Sequence, residues 1–354
     1  MVKMGVHLSD MPTALSPADH FQDVLRMVEA AQEAGFTYIA IGQHFLYGEL
    51  RWFQPVPLLA RLAAEVDPHV KLVTNIMVAP LYHPVLLAEE LATLDVVTEG
   101  RLVWGAGLGY RPEEFDYLGV PFKQRASRFD ELLGLMKRLW TEDEVTHEGR
   151  HWQLDGVRPH LHPVQDPHPP IWIGAQALPG VRRAAKHGDG YACSPETPMH
   201  EIAERHQVVM DGFAERGKEF TPQPLRRNGM VADTREEARS EFARVAQGRY
   251  VTYAQKGFDA MDLGDLERDF LDTVADHAVI GTPDDVVAGL TDYATRLPVE
   301  PIVLRPGWPA MSGAETVEAI RRLGRDVVPA MLPVQPRTTI DESAFEAPVT
   351  LTKS

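Results

Sequence analysis

The sequence predicts an α/β fold, a single (β/α)8 TIM barrel with insertions at its carboxyl-terminal face. Eight short apolar segments alternate with longer amphipathic segments, an order that requires crossover connections between parallel strands. The apolar segments are continuous rather than alternating, which is typical of strands covered on both faces. Eight such units favour a closed barrel. An open doubly wound sheet is the alternative, but the glycine-rich fingerprint expected after its first strand is missing.

The predicted elements follow one another along the chain. Strands are expected at residues 4–8, 38–41, 72–79, 102–106, 171–173, 190–193, 227–232 and 301–304. The helix predicted over residues 16–34 begins with Ser-Pro-Ala-Asp, which supplies an N-cap and a proline at the first helical position. Apolar residues at helical spacing predict further helices at 84–97, 124–140 and 179–187.

Two connections are longer than ordinary barrel loops. The first contains a His-, Pro- and Trp-rich segment, residues 147–164, which we expect to pack as an irregular excursion. The second, residues 233–298, is predicted to be a mostly helical insertion, with a capping box at Thr282-Pro-Asp-Asp. Long insertions at this face of a barrel often form lids. We therefore expect one domain over residues 1–335, followed by an extended or disordered tail, residues 336–354.

Composition excludes several classes of protein. The 354 residues are 44% hydrophobic and 24% charged, as in globular proteins. The net charge of −16 argues against nucleic acid and against an anionic membrane surface as partners. Cys193 is the single cysteine, so no intrachain disulfide can form. No apolar segment has the length of a signal peptide core or a membrane span, and we expect a cytoplasmic protein.

The carboxyl ends of the predicted strands are rich in glycine and amide groups and poor in acids. A metal site needs converging carboxylates or histidines, and the 14 histidines are scattered, so no metal is expected. A hydrolase needs an activated nucleophile; there is no Gly-x-Ser-x-Gly elbow, and Cys193 has no basic neighbour in sequence. A neutral, glycine-rich edge suits a large, flat cofactor. Backbone N–H groups at residues 174–176 and in the next helix would bind its phosphate, although ordinary turn geometry also accounts for Gly174.

His44 directly follows the second predicted strand and is the strongest candidate for proton chemistry. The glycines of residues 105–109 resemble a phosphate loop, but the Lys-Ser/Thr pair of that motif is missing. They favour instead the close approach of a ring system to the strand end.

Taken together, these segments resemble the bacterial luciferase-like family of flavin- or deazaflavin-dependent oxidoreductases. The resemblance covers about residues 3–335 and is specific in the order of its motifs. The motifs are Ile41-Gly-Gln-His-Phe45, Val78-Ala-Pro-Leu-Tyr-His-Pro84, Gly100-Arg-Leu-Val-Trp-Gly-Ala-Gly-Leu-Gly-Tyr110 with Glu113-Glu-Phe-Asp-Tyr-Leu-Gly119, Pro169-Pro-Ile-Trp-Ile-Gly-Ala175 with Gly188-Asp-Gly190, and Gly281-Thr-Pro-Asp-Asp285.

The resemblance implies a reduced flavin across the carboxyl-terminal face of a TIM barrel. It implies an active-site role for His44 and a non-prolyl cis peptide bond near residues 75–76 that supports the flavin ring. The cofactor-binding residues that it implies are Asn75, Ile76, Gly107, Leu108, Tyr110, Gly174, Ala175 and Gln176.

Two positions depart from the family pattern. Leu108 stands where bacterial luciferase has an arginine near the flavin phosphate, so phosphate binding would rely on the backbone or on another cation. Tyr110 and Arg111 follow Gly109 where deazaflavin-dependent dehydrogenases have an acidic residue, and this favours oxygen chemistry.

We therefore expect a monooxygenase that uses O2 and reduced FMN, supplied by a separate flavin reductase, to oxidise a small organic substrate. The expected substrate contacts are Tyr110, Arg305, Trp52, Phe53 and Trp308. Hydride transfer with coenzyme F420 is an alternative, in which Arg51, Arg111 and Arg125 would contact the acidic tail of that cofactor. A non-catalytic flavin-binding barrel and a metal-dependent hydrolase are further alternatives, and a homodimer is left open.

Overall fold

The fold is built on a nine-stranded parallel sheet that curls into a barrel. The structure is a computed structural model that describes residues 1–8, 10–12, 14–48, 50–257 and 262–346. The strands of the sheet are β1 (Met4–Leu8), β2 (Tyr38–Ile41), β3 (Lys71–Val78), β4 (Leu102–Gly107), β5 (Ile171–Gly174), β6 (Gly190–Ala192), β7 (Gln223–Val231), β8 (Ala278–Gly281) and β9 (Val299–Arg305).

The strand order is β6-β5-β4-β3-β2-β1-β9-β7-β8, and every pairing is parallel. The two ends of this order meet because β6 packs against β7 and the Tyr191 N–H donates to the Gln223 side chain. The predicted (β/α)8 barrel is therefore confirmed, and each of the eight predicted strands is present.

Strand β8 was not predicted and lies inside the segment expected to be mostly helical. It extends the sheet beside the carboxyl end of β7, where Asn228 pairs with Ala278 and Val231 pairs with Gly281. Four residues are too few for periodicity to distinguish a strand from a helical turn.

Helices cover the outside of the barrel and its carboxyl-terminal end. They are α1 (Pro17–Glu33), α2 (Pro55–Leu62), α3 (Pro84–Val97), α4 (Pro112–Tyr117), α5 (Arg125–Thr141), α6 (Leu178–His187), α7 (Met199–Glu215), α8 (Arg235–Gln255), α9 (Leu263–Arg268), α10 (Phe270–Thr273), α11 (Pro283–Arg296), α12 (Gly313–Asp326) and α13 (Val328–Met331). Three 3-10 helices lie at Ala79–Leu81, Phe122–Gln124 and Glu342–Phe345. Within the described residues, no helix has the length and apolar character needed to cross a membrane.

The ends of the helices agree with the predicted caps. The Ser16 side chain accepts from the Asp19 N–H at the start of α1, and Thr282 and Asp285 form the predicted capping box at α11. The segment expected as an irregular excursion contains an antiparallel hairpin, Val145–Glu148 with Gln153–Val157. A second, smaller pair joins Met11–Pro12 to Leu50–Arg51.

Two hydrophobic cores are separate from the main helix–sheet core. The lower barrel interior is filled by Ala40, Val73, Val103, Trp172 and Val303. The helical insertion has its own core, formed by Phe242, Val245, Ala246, Tyr250, Leu266, Phe270, Val274, Trp308 and Met311. Because this second core includes residues from the loop after β9, the insertion is packed onto the barrel mouth.

The chain after residue 335 is packed rather than extended, as far as it is described. Residues 336–346 lie on α11, where the Asp341 N–H donates to the Arg296 carbonyl and the Arg296 guanidinium donates to Ser343. Ala344 is fully buried. The remainder of the expected tail, residues 347–354, lies outside the described residues.

A fully enclosed histidine makes the fold sensitive to acid. Burial, and then the charge of Arg227, lowers the pKa of His206 to about 3, and neither ring nitrogen has a hydrogen-bond partner among the described residues. The unfolded chain takes up a proton near pH 6.5 and the folded chain does not, so stability falls as the pH drops below 6.5.

We predict that His206→Leu reduces this loss. The parent protein should lose more unfolding free energy than the variant between pH 7.5 and pH 5, by about 2 kcal/mol. This is the contribution of one histidine over the 1.5 pH units between 6.5 and 5, at about 1.36 kcal/mol per unit. Urea unfolding at both pH values measures it. His69→Leu, at an exposed histidine, is the control and should leave the pH dependence unchanged. Equal pH dependence in His206→Leu and the parent protein would contradict the prediction.

Candidate active site

His44 lies just beyond the carboxyl end of β2, and its orientation is set by a buried acid. Its Nδ1 is 2.8 Å from Glu114 Oε1, and the Glu114 side chain is 0% exposed. A carboxylate can only accept, so Nδ1 carries the hydrogen and donates it. Nε2 forms no hydrogen bond with any described residue.

Glu114 accepts two further hydrogen bonds at the same oxygen. The donors are the Phe45 N–H at 2.9 Å and Arg111 Nη1 at 3.3 Å. The Arg111 guanidinium also stacks on the Tyr47 ring, 4.3 Å from its centroid, and is only 2% exposed. The buried Glu114 carboxylate and Arg111 guanidinium thus attach the loop that contains His44 to the start of α4.

Aromatic rings enclose the His44 imidazole. Their centroids lie 4.7 to 5.8 Å from it, and they belong to Tyr47, Trp52, Tyr110 and Tyr253. The Tyr47 and Tyr110 hydroxyls are 3.3 Å apart. Burial raises the pKa of both phenols, so both remain protonated at neutral pH. The arrangement is a mostly apolar enclosure that reduces water access to His44.

The predicted non-prolyl cis peptide bond is present between Asn75 and Ile76. His7 Nε2 lies 3.0 Å from the Asn75 carbonyl and donates to it, because a carbonyl can only accept. Burial, and then the charges of Arg226 and Arg305, lowers the pKa of His7 well below its usual value and keeps the ring neutral.

The side chain of Ile76 explains two of the glycines. A Cβ on Gly107 would lie 2.7 Å from Ile76 Cγ2, and one on Gly174 would lie 3.0 Å from Ile76 Cγ1. These glycines therefore make room for Ile76, a protein side chain, at the strand ends. Leu108, which follows Gly107, is half-buried and packs against the main core.

Backbone donors are available where a phosphate site was predicted. Helix α6 begins after Ala177 without a side-chain cap, and the N–H groups of residues 176–178 have no hydrogen-bond partner among the described residues. Ala175 differs, because its N–H donates weakly to the Ala192 carbonyl at 3.4 Å. An uncapped helix N-terminus beside a glycine fits an anionic phosphate group. The residues present therefore fit a phosphate-bearing cofactor at the start of α6.

A charged cluster lies on the other side of the mouth. Asp10 accepts from Arg249 Nε at 2.9 Å and from Arg305 Nη2 at 2.7 Å, and all three side chains are buried. Arg249 comes from α8, so the predicted insertion does contribute side chains to the mouth. Its guanidinium lies 4.0 Å from the centroid of the Tyr253 ring, one of the rings around His44.

Two predicted substrate contacts lie elsewhere. Phe53 packs against α1, with its ring 4.4 Å from His20. Trp308 is 1% exposed and belongs to the core of the insertion, against Phe242 and Tyr250. Both rings pack within the protein, and Trp308 also lies 4.6 Å from the Arg305 guanidinium of the charged cluster.

Sequence reasoning missed several residues of the site. Glu114, Asp10, Arg249 and Tyr253 were not selected, although Arg249 and Tyr253 share one helix face at a spacing of four residues. Charged and aromatic residues on one face of a helix in a predicted lid were the available signal. Among the described residues, no three His, Cys, Asp or Glu side chains form a metal site.

Comparison with known proteins identifies the family. The chain belongs to the luciferase-like monooxygenase family, whose model matches residues 3–299. Proteins of this family use FMN or F420. The family is one of oxidoreductases.

The oxygenase component of the flavin-dependent trigonelline monooxygenase of Acinetobacter baylyi is 28% identical over 241 residues, 66% of this chain and 65% of that protein. The F420-dependent glucose-6-phosphate dehydrogenase of Gordonia bronchialis is 28% identical over 180 residues, 49% of this chain and 53% of that protein. The chain thus spans about half to two thirds of the length of the first curated relatives it matches. The crystal structure of monooxygenase RslO1 from Streptomyces bottropensis superimposes with a TM-score of 0.79 at 27% identity, covering 93% of this chain and 99% of that chain.

We predict that Glu114→Ala lowers the free energy of unfolding by about 3–5 kcal/mol. The change leaves the Arg111 guanidinium buried without its acid and removes the acceptor of two further donors. Urea unfolding at neutral pH measures the change. Glu113→Ala is the matched control, since Glu113 is half exposed and 3.9 Å from Arg111, and it should change stability by less than about 1 kcal/mol. Equal losses in the two variants would contradict the prediction.

Proposed function

We propose that this chain is the oxygenase component of a two-component monooxygenase that uses reduced FMN and O2 to oxidise a small organic substrate. The observation that carries the proposal is the His44–Glu114 pair inside an aromatic enclosure. It is a positioned proton carrier in a water-poor site. The relation to the Acinetobacter oxygenase component supports delivery of the reduced flavin by a separate reductase.

Each part of the mouth has a role in this proposal. Bound reduced FMN would supply the electrons with which O2 is activated. The backbone N–H groups at the start of α6 would bind its phosphate, and Asn75 and Ile76 would support its ring. His44 Nε2 would donate or accept a proton at the substrate, while Glu114 holds the imidazole in one tautomer. Tyr47, Trp52, Tyr110 and Tyr253 would keep water away.

The alternative cofactor, F420, carries a long acidic tail that requires a basic groove. Of the three arginines considered for that groove, Arg111 is buried against Glu114 and Tyr47. Arg125 stacks on the Phe122 ring and donates to the Phe122 carbonyl. Arg51 donates to the Leu15 carbonyl. Because Arg111 is paired with a buried acid, at least one of the three charges is unavailable to an acidic tail, and this supports FMN over F420.

Anaerobic titration of the purified protein with FMN, reduced FMN and reduced F420 tests the cofactor. We expect reduced FMN to bind at least about tenfold more tightly than oxidised FMN, with reduced F420 weakest. Flavin fluorescence measures all three. Tightest binding of reduced F420 would replace the proposal with deazaflavin hydride transfer, and binding of none would remove the cofactor assignment.

We predict that His44→Ala keeps the affinity for reduced FMN and lowers product formation by about 10²–10⁴, the usual contribution of a general acid or base. The assay mixes the reduced complex with oxygenated buffer and a substrate panel, with products identified by mass spectrometry. His69→Ala, at an exposed histidine, is the control for a general effect of histidine removal. Unchanged product formation in His44→Ala would exclude His44 from the mechanism.

A further inference from the structure

A third arginine in the barrel mouth has no counter-charge bonded to it. Side chains alternate across β7, so Arg226 and Arg227 lie on opposite faces of that strand. Arg227 faces outward and donates to the Pro195 and Thr197 carbonyls. Arg226 faces the barrel interior, where its Nε and Nη2 are buried and have no hydrogen-bond partner among the described residues.

The nearby acids are already engaged. Both oxygens of Asp10 accept from Arg249 and Arg305. Glu196 accepts from the Ser194 hydroxyl at one oxygen and from Asn228 Nδ2, at 3.4 Å, at the other. Three guanidinium groups therefore face two carboxylates, and His7 beside them is neutral. Burial, and then Arg249 and Arg305, lowers the pKa of Arg226 to about 10, so Arg226 remains charged at neutral pH.

Arg226 as a whole is partly exposed, while its Nε and Nη2 are buried without a partner among the described residues. A charge in this position is unfavourable, and an anionic ligand would compensate it. A planar guanidinium donating through Nε and Nη2 matches the two oxygens of a carboxylate. We propose that the substrate is a small organic anion of the carboxylate class whose charged group binds Arg226. This inference rests on the proposed monooxygenase function and specifies its substrate.

The position of Arg226 favours substrate over cofactor. Arg226 is on β7, four strands around the barrel from β3, which carries Asn75 and Ile76. Arg249 contacts the Tyr253 ring, and Tyr253 contacts His44, so the anion site and His44 share one wall. A substrate would be held by its carboxylate at Arg226, with its oxidisable part among the aromatic rings. The other anionic groups that could reach Arg226 belong to the reduced flavin: its ring, and its phosphate, whose proposed site after β5 is two strands from β7. The test separates the flavin from the substrate.

The test measures binding to the flavin-free protein. Acetate and benzoate are titrated against acetamide and benzamide, their neutral counterparts, at constant ionic strength with tryptophan fluorescence as the readout. We expect at least one carboxylate to bind more tightly than its amide, and Arg226→Met to weaken that binding about 10- to 100-fold. Arg226→Lys keeps the positive charge but lacks the planar pair of N–H donors, so it should recover part of the affinity.

Arg227→Met is the matched control on the same strand. It removes three satisfied hydrogen bonds, to the Pro195, Arg226 and Thr197 carbonyls, so it should lower the thermal midpoint and leave benzoate affinity unchanged. Arg226→Met removes an unpartnered charge and should not lower the midpoint. Arg239→Gln, at a half-exposed arginine of α8, is a second control in case Arg227→Met does not fold.

Three results would overturn the proposal. They are equal binding of each carboxylate and its amide, unchanged carboxylate affinity in Arg226→Met, and a loss in that variant confined to reduced FMN. The last would assign Arg226 to the flavin ring. The affinity of Arg226→Met for reduced FMN is measured in a separate anaerobic flavin titration. Because the carboxylate titrations contain no flavin and no O2, carboxylate binding can succeed where the monooxygenase function fails, and the converse also holds.

Discussion

The carboxylate of Asp10 joins three separate parts of the chain. It lies after β1, it accepts from Arg305 at the end of β9, and it accepts from Arg249 in the helical insertion. Removing the acid would leave two buried guanidinium groups facing each other, so the ion pairs and the insertion's apolar core depend on one another. The insertion is therefore held over the mouth by charge as well as by packing. Tyr253, one turn beyond Arg249, completes the enclosure of His44 as a consequence of this attachment.

Glu114 has the corresponding role on the opposite wall. Its single hydrogen-bonded oxygen joins the loop after β2 to the start of α4, through His44, Phe45 and Arg111. Both acids are buried and each accepts from several donors, which is the condition under which a buried carboxylate is tolerated. Both oxygens of Asp10 are bonded, whereas Glu114 Oε2 has no hydrogen-bond partner among the described residues. The difference lies in what their partners do. The Arg111 guanidinium is stacked on Tyr47 and has a structural role, whereas the His44 imidazole has one nitrogen, Nε2, that bonds to no described residue.

The sequence was sufficient for the barrel because most of its strands are continuous apolar segments and the connections between them carry helix signals. It placed His44 correctly after β2, since position at a strand's carboxyl end follows from parallel topology alone. It failed for Trp308, because an aromatic residue at the mouth looks the same in sequence whether it faces substrate or a lid's core. It missed Glu114 and Arg226 because their significance depends on tertiary partners. A buried acid in the first turn of a helix, or an inward-facing arginine without a partner, has no local signature.

The two charged arrangements also explain how an acidic protein can hold an anion. A net charge of −16 repels carboxylates at long range, but screening confines that repulsion to the surface at physiological salt. Inside the mouth the local balance is reversed, with three arginines against two acids, and low dielectric strengthens every unscreened contact. Asp10 lowers the charge of the cluster enough for two arginines to be buried together, and it leaves Arg226 uncompensated. The enclosing rings then select for shape, while the remaining positive charge selects for an anionic group. A neutral substrate would leave Arg226 buried and unpaired in the complex. The charge of a substrate should therefore discriminate more strongly than its shape.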